Sequence, residues 1–148
     1  MSRPRIPALA LFLALPLTLS AGAVQAAENP YEPLPFEFEV EKVEGAPVYY
    51  ATGRSGVPDA ENAGHTSNGG YVITDEGVVV FDALGTPALG WALLQDIRER
   101  TDVPVRFVVV SHYHADHVYG LQAFDEHTDA WVVAQEGAVQ YVNPETRK

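Results

Sequence analysis

Apolar and charged residues alternate along Phe36-Glu37-Phe38-Glu39-Val40-Glu41-Lys42-Val43, the two-residue period of a strand with one wet face. Val48-Tyr49-Tyr50-Ala51 reads as a second strand. From Gly53 to Gly64 the period is lost in Gly, Pro, Asp and Asn, the composition of a loop. Tyr71-Val72-Ile73-Thr74, the turn Asp75-Glu76-Gly77 and Val78-Val79-Val80-Phe81-Asp82 predict a hairpin. Thr86 followed by Pro87 is a helix start, with a capping hydroxyl and a proline at the first helical position. Leu89, Leu93 and Ile97 then recur every four residues, flanked by Trp91 and Leu94. Gln95, Asp96, Arg98, Glu99 and Arg100 supply the wet face, which predicts a helix over 87–100 closed by Pro104. Val105 to Val110 is the β-branched run of a strand buried on both faces. Ala130 to Ala134 predicts another strand, and Glu136 to Tyr141 the start of a helix.

The centre of this pattern is strand (78–82), helix (87–100), strand (105–110). A crossover of that kind makes the two strands parallel. Their C-terminal ends then lie on one edge of the sheet, where open α/β sheets bind ligands. Asp82 ends the first strand and His112 follows the second by two residues, so topology alone brings the two together.

The first 26 residues stand apart. Arg3 and Arg5 precede a nearly unbroken apolar run from Ile6 to Leu19, and Val24-Gln25-Ala26 ends in small residues before Ala27. That is the layout of a signal peptide, and it places the protein in the periplasm or outside the cell. The run falls short of the ~20 residues that span a bilayer, and Pro7 and Pro16 interrupt it, so no membrane span is expected after cleavage. Residues 27–35 form a polar lead-in and 36–148 the domain. The net charge of −11 disfavours nucleic acid and anionic membranes as partners. With no cysteine, the chain forms no disulfide and offers no thiolate to a metal.

Ser111-His112-Tyr113-His114-Ala115-Asp116-His117 packs three imidazoles and a carboxylate into six positions, the donors zinc takes when thiolate is absent. His112 and His114 are two apart at a strand end, so their side chains can point the same way. Asp116 and His117 are adjacent and diverge, which suits a second metal. Two ions ~3.5–4 Å apart would share a hydroxide and hold both ends of a displacement.

His-x-His-x-Asp-His after a buried strand resembles the signature of the metallo-β-lactamase superfamily. Asn68-Gly69-Gly70-Tyr71-Val72-Ile73 resembles that family's early strand, and Val80-Phe81-Asp82 its first acidic motif. The leader, together with Ser111 to Phe124, is most similar to a periplasmic branch near sulfur-oxidation and quinoprotein-associated hydrolases. The resemblance implies an α/β chain that forms the N-terminal half of a four-layer αββα sandwich. It implies that His112 and His114 bind a first zinc, that Asp116 and His117 bind a second, and that Asp82 braces the metal loop. It further implies hydrolysis of an ester, thioester, lactone or amide by metal-bound hydroxide, with Asp116 catalytic and a small molecule as substrate. One departure is visible: Tyr119 stands where the family often has a glycine, and Gly120 keeps the next one. The family's later ligands (a histidine, a bridging acid and a final histidine) have no counterpart between His117 and Lys148. The expected partner is therefore the C-terminal half of the fold, and the chain reads as an incomplete copy of a hydrolase. A catalytically inactive truncated relative, or a secreted metal- or ligand-binding protein, is the competing reading.

Four further residues draw attention. His65 ends the Gly53–Gly64 loop and reads as an exposed loop residue; the functional alternative, with Tyr119, is a substrate-contacting lid at the metal edge. His127 reads as a solvated turn residue, and Trp91 and Trp131 as packing aromatics.

Overall fold

The computed structural model describes residues 29–138. The expected leader over 1–26, and the part of the 136–141 helix beyond residue 138, lie outside them. Six strands form one sheet in chain order: β1 (Glu41–Lys42), β2 (Val48–Ala51), β3 (Gly69–Thr74), β4 (Gly77–Phe81), β5 (Val105–Val109) and β6 (Trp131–Val133). The first four pair antiparallel, and β4–β5 and β5–β6 are parallel. Helix α1 (Pro87–Arg100) makes the crossover from β4 to β5. Helices α2 (Ala115–Val118) and α3 (Leu121–His127) connect β5 to β6, and one 3-10 turn spans Glu136–Ala138.

Helix α1 begins and ends where the sequence places it. The Thr86 hydroxyl accepts from Leu89 N and Pro87 opens the helix, while Arg98 and Arg100 sit in the last turn where a helix favours cations. Its apolar stripe of Leu89, Leu93, Leu94 and Ile97 packs on the sheet face built from Tyr49, Tyr71, Val78, Val80 and Val108. Cross-strand register explains that face, because Tyr49, Tyr71, Val80 and Val108 stand in one row across β2 to β5. The row one residue along, Tyr50, Gly70, Phe81, Val109 and Val133, points the other way. On that second face Phe81 is 54% and Trp131 75% exposed, and Phe107 is exposed beside Trp131. The sheet thus has one face under helices and one apolar face open. Among the described residues no helix is long and apolar enough to cross a membrane.

Four expectations change, the first being that the 105–110 strand, expected to be buried on both faces, is covered on one, with Arg106 and Phe107 exposed. The strand expected over 36–43 is hydrogen-bonded only at Glu41–Lys42. Its would-be partner leaves the sheet edge after Ala51, where Gly53 N turns to Asn68 Oδ1 and Arg54 N to the His65 carbonyl. The alternation still reports burial: Phe36, Phe38 and Val40 pack against the core, and Glu37 and Glu39 are exposed. His127 is not on a solvated turn. It closes α3, a helix with no strong apolar period that buries Ala123 and Phe124. The His127 ring packs against Trp91 at 4.7 Å and Tyr31 at 6.1 Å, with its carbonyl accepting from Arg98. Trp131, expected to pack, is exposed on the open face.

Helix α1 crosses the start of α3 at a glycine contact. A Cβ on Gly90 would lie 2.3 Å from the Gly120 carbonyl oxygen. Alanine in a helix interior is normally favoured over glycine by about 1 kcal/mol. Overpacking against fixed backbone costs roughly 1–3 kcal/mol. Gly90→Ala is therefore expected to lower the thermal midpoint, and a raised midpoint would show that α1 slides freely past Gly120.

Candidate metal centre

Backbone geometry turns sharply where β4 ends. Asp82 and Leu84 both take left-handed φ angles, 58° and 69°, in a region that non-glycine residues rarely enter. Hydrogen bonds hold the turn against the motif: Asp82 N to Val109 O at 2.9 Å, Ala83 N to His117 O at 3.0 Å, and Gly120 N to Leu84 O at 2.9 Å. A side chain on Gly120 would run into the Ala83 carbonyl, so glycine is required there for the approach.

The turn aims the Asp82 carboxylate, only 5% exposed, into the motif. Oδ1 accepts from Ser111 N at 2.7 Å. Oδ2 accepts from Ser111 Oγ at 2.7 Å and from His117 Nδ1 at 2.7 Å. An ionised carboxylate only accepts, so these contacts fix the protons on their partners. His117 carries a proton on Nδ1, which in the neutral ring leaves the lone pair on Nε2. Ser111 gives its hydroxyl proton to Asp82 and accepts from His112 Nδ1 at 2.9 Å, which leaves a lone pair on His112 Nε2. One buried carboxylate thus sets two imidazole tautomers, the arrangement by which outer groups orient metal-binding histidines.

His112 Nε2 stands 3.1 Å from His114 Nδ1. Two nitrogens on one tetrahedral zinc, each ~2.0–2.1 Å from it, are roughly 3.3 Å apart. The other pair is Asp116 Oδ2 and His117 Nε2, 3.7 Å apart. The two pairs adjoin, with the His112 and His117 rings 4.1 Å centroid to centroid. His112 and His114 are exposed, and Asp116 and His117 half-buried. The donor set fits zinc in type, and His112 and His117 fit it in tautomer. It does not close a shell: among the described residues no group of three or more His, Cys, Asp or Glu could by itself hold a metal.

His65 is not an exposed loop residue. It is 5% exposed, its ring stacked on Phe36 at 5.9 Å and tilted against Phe38 at 5.4 Å. Burial, with the Arg54 charge adding to it, lowers its pKa. The loop that carries it does reach the motif, through two hydroxyls that the sequence reading passed over. Thr66 Oγ1 donates to Asp116 Oδ2 at 3.4 Å, and Ser67 Oγ donates to the Asp116 carbonyl. Ser111 and Tyr113, inside the motif, have no role in the sequence expectation; the Tyr113 ring lies 4.9 Å from that of His114. The position of Ser111 beside the first histidine was the available signal. Tyr119 ends α2 and is 61% exposed.

The family model described as the metallo-beta-lactamase superfamily matches residues 62–146, a span that contains the Asp82 turn and the whole motif. The chain belongs to the metallo-beta-lactamase superfamily. Among solved structures, a metallo-beta-lactamase from Pontibacter korlensis is similar to it, at 27% identity and a TM-score of 0.56. The match covers 68% of this chain and 44% of that one, so the chain spans less than half the length of that relative. No curated protein matches it. The six-stranded sheet with helices on one face matches part of the superfamily fold.

Two outcomes are expected from this geometry. Asp82→Asn replaces an accepting oxygen with a donor that faces donors, and should cost roughly 1–3 kcal/mol in denaturant unfolding; an unchanged midpoint would mean that the relay carries no stability. For His65, the folded pKa lies below the ordinary 6.5, so as pH falls through 6.5 the unfolded chain takes up the proton and the folded one does not. Stability contributed by the neutral ring is thus complete above that value and declines below it. His65→Phe should flatten the fall of the thermal midpoint on acidification, and an unaltered slope would assign the acid sensitivity elsewhere.

Proposed function

We propose that this chain carries the metal-binding motif of an exported zinc hydrolase that adds water across an ester, thioester, lactone or amide. The observation that carries the reading is the Asp82 relay, which directs His112 Nε2 toward His114 Nδ1 at 3.1 Å. On this reading His112 and His114 hold one ion, and Asp116 and His117 a second. Zinc, when bound, acidifies water and polarises a carbonyl oxygen. The residues of the chain do the rest. Asp82 and Ser111 keep the imidazoles in the tautomers that offer lone pairs. Asp116 orients the attacking water and takes its proton. Tyr113 and Tyr119, both exposed near the motif, contact the substrate as it approaches.

Each pair supplies two donors, and zinc normally takes four ligands. We therefore assign the further ligands to a segment that packs on the open face of the sheet, over Phe81, Phe107 and Trp131. The motif directly follows β5, the strand that carries Phe107. The leader-like first 26 residues support action in the periplasm or outside the cell, and the net charge of −11 supports a small-molecule substrate over nucleic acid.

The test is a panel of lactone, thioester and β-lactam substrates given to the zinc-loaded full-length protein. His114→Ala is expected to abolish turnover and Asp116→Asn to lower kcat by about 10²-fold or more. His127→Ala should keep kcat and lose stability, because that ring packs on Trp91. Turnover that survives in His114→Ala would refute the reading.

A further inference from the structure

The acid of the motif is held from outside the motif. Asp116 lies in α2, a helix of four residues. In a continuing helix its carbonyl would accept from the amide four residues on, which is Gly120 N. That amide instead donates to the Leu84 carbonyl at 2.9 Å, so the helix leaves the Asp116 carbonyl without its usual donor. Ser67, buried and polar, fills the place by donating to that carbonyl. The neighbouring Thr66 donates to Asp116 Oδ2 at 3.4 Å, the same oxygen that faces His117 Nε2 at 3.7 Å.

The loop carrying these hydroxyls is itself pinned on both sides. His65 N donates to the Asn62 carbonyl and the His65 carbonyl accepts from Arg54 N, each at 2.8 Å. The His65 ring is packed against Phe36 and Phe38 from the N-terminal strap. Opposite, Gly85 lies so close that a Cβ there would sit 2.4 Å from the Gly64 carbonyl and 3.2 Å from Asp116 Cα. A loop fixed in this way transmits its position to Asp116.

We propose that Thr66 and Ser67 are positioning residues for Asp116: Ser67 sets its backbone and Thr66 the rotamer of its carboxylate, with His65 anchoring the loop. The proposal rests on the reading of Asp116 as a metal-holding carboxylate. The buried His65 then serves as an anchor that ties the N-terminal strap to the motif acid.

The experiment uses the full-length protein, with Zn²⁺ affinities from chelator competition and Co²⁺ visible spectra as a second readout. Asp116→Asn identifies the metal equivalent that depends on this carboxylate. Thr66→Val, which keeps the shape and removes the hydroxyl, should weaken that equivalent about 10-fold, shift its Co²⁺ bands and leave any other equivalent unchanged. Thr66→Ser should restore both readouts, and Ser67→Ala should weaken the same equivalent. The Thr66 pair decides the matter where Ser67→Ala fails to fold. Parallel weakening of all equivalents with the thermal midpoint would make these residues merely structural and overturn the proposal. So would unchanged affinity in Thr66→Val when Asp116→Asn has lost it. If Asp116→Asn itself leaves metal binding intact, the reading of Asp116 falls and the proposal falls with it.

Discussion

A buried carboxylate with no partner would be driven to neutralise or to drag the chain back to water. Asp82 escapes this because three donors, two from Ser111 and one from His117, converge on it. Its left-handed backbone costs of order 1–3 kcal/mol, a strain that persists only where surrounding contacts over-determine it. Those contacts come from three separate places: the end of β5, the end of α2 and the start of α3. The Asp82–Leu84 turn joins them, Asp82 to Ser111 and His117 through its carboxylate and Leu84 to Gly120 through its carbonyl, so the strand edge, the motif loop and the helix that follows are tied together. The tautomers of His112 and His117 follow from the same carboxylate, so the chemistry of the site is a consequence of how β4 ends.

The second constraint is the thinness of the layer behind the motif. Gly90 lies on Gly120, and Gly120 on the Ala83 carbonyl, so α1, α3 and the strained turn stack backbone on backbone. Close packing of this kind leaves little room for alternative arrangements. The core face of the sheet, whose Tyr71 and Val80 share one buried cluster with Leu93 and Ile97, seats α1 and so fixes the height of that stack. Burial far from the motif thereby sets the position of the motif loop.

Helix α1 was legible in the sequence to the residue, because Thr86, Pro87 and a four-residue apolar period all speak locally. The parallel pairing of β4 and β5, and with it the meeting of Asp82 and His112 at one edge, followed from the crossover. What the sequence hid was set by tertiary contacts. Phe36 to Val40 alternates like a strand, yet its partner strand leaves the sheet edge, and the segment becomes a strap. Helix α3 carries too few apolar residues for a period to show. His65 sits in a stretch composed like a surface loop, and only the fold reveals that Phe36 and Phe38 cover it. Thr66 and Ser67 look like ordinary loop hydroxyls until the Asp116 carbonyl is found without its helical donor.

Two carboxylates lie within reach of the same histidines, and their surroundings separate their roles. Every side-chain hydrogen bond of Asp82 goes to a donor of the motif segment, and burial closes it from solvent. A carboxylate in that state has little capacity left for a metal or a reacting water. Asp116 is half-buried, and among the described residues its carboxylate has two long contacts, Thr66 at 3.4 Å and His117 Nε2 at 3.7 Å. Neither contact is short, so most of its accepting capacity is uncommitted among the described residues. On the proposed reading, environment makes Asp82 the brace and leaves Asp116 for the metal, as it does wherever paired carboxylates divide their labour. That reading agrees with how few polar partners Asp116 has among the described residues, since a fully satisfied acid there would have nothing left to offer a metal or a water.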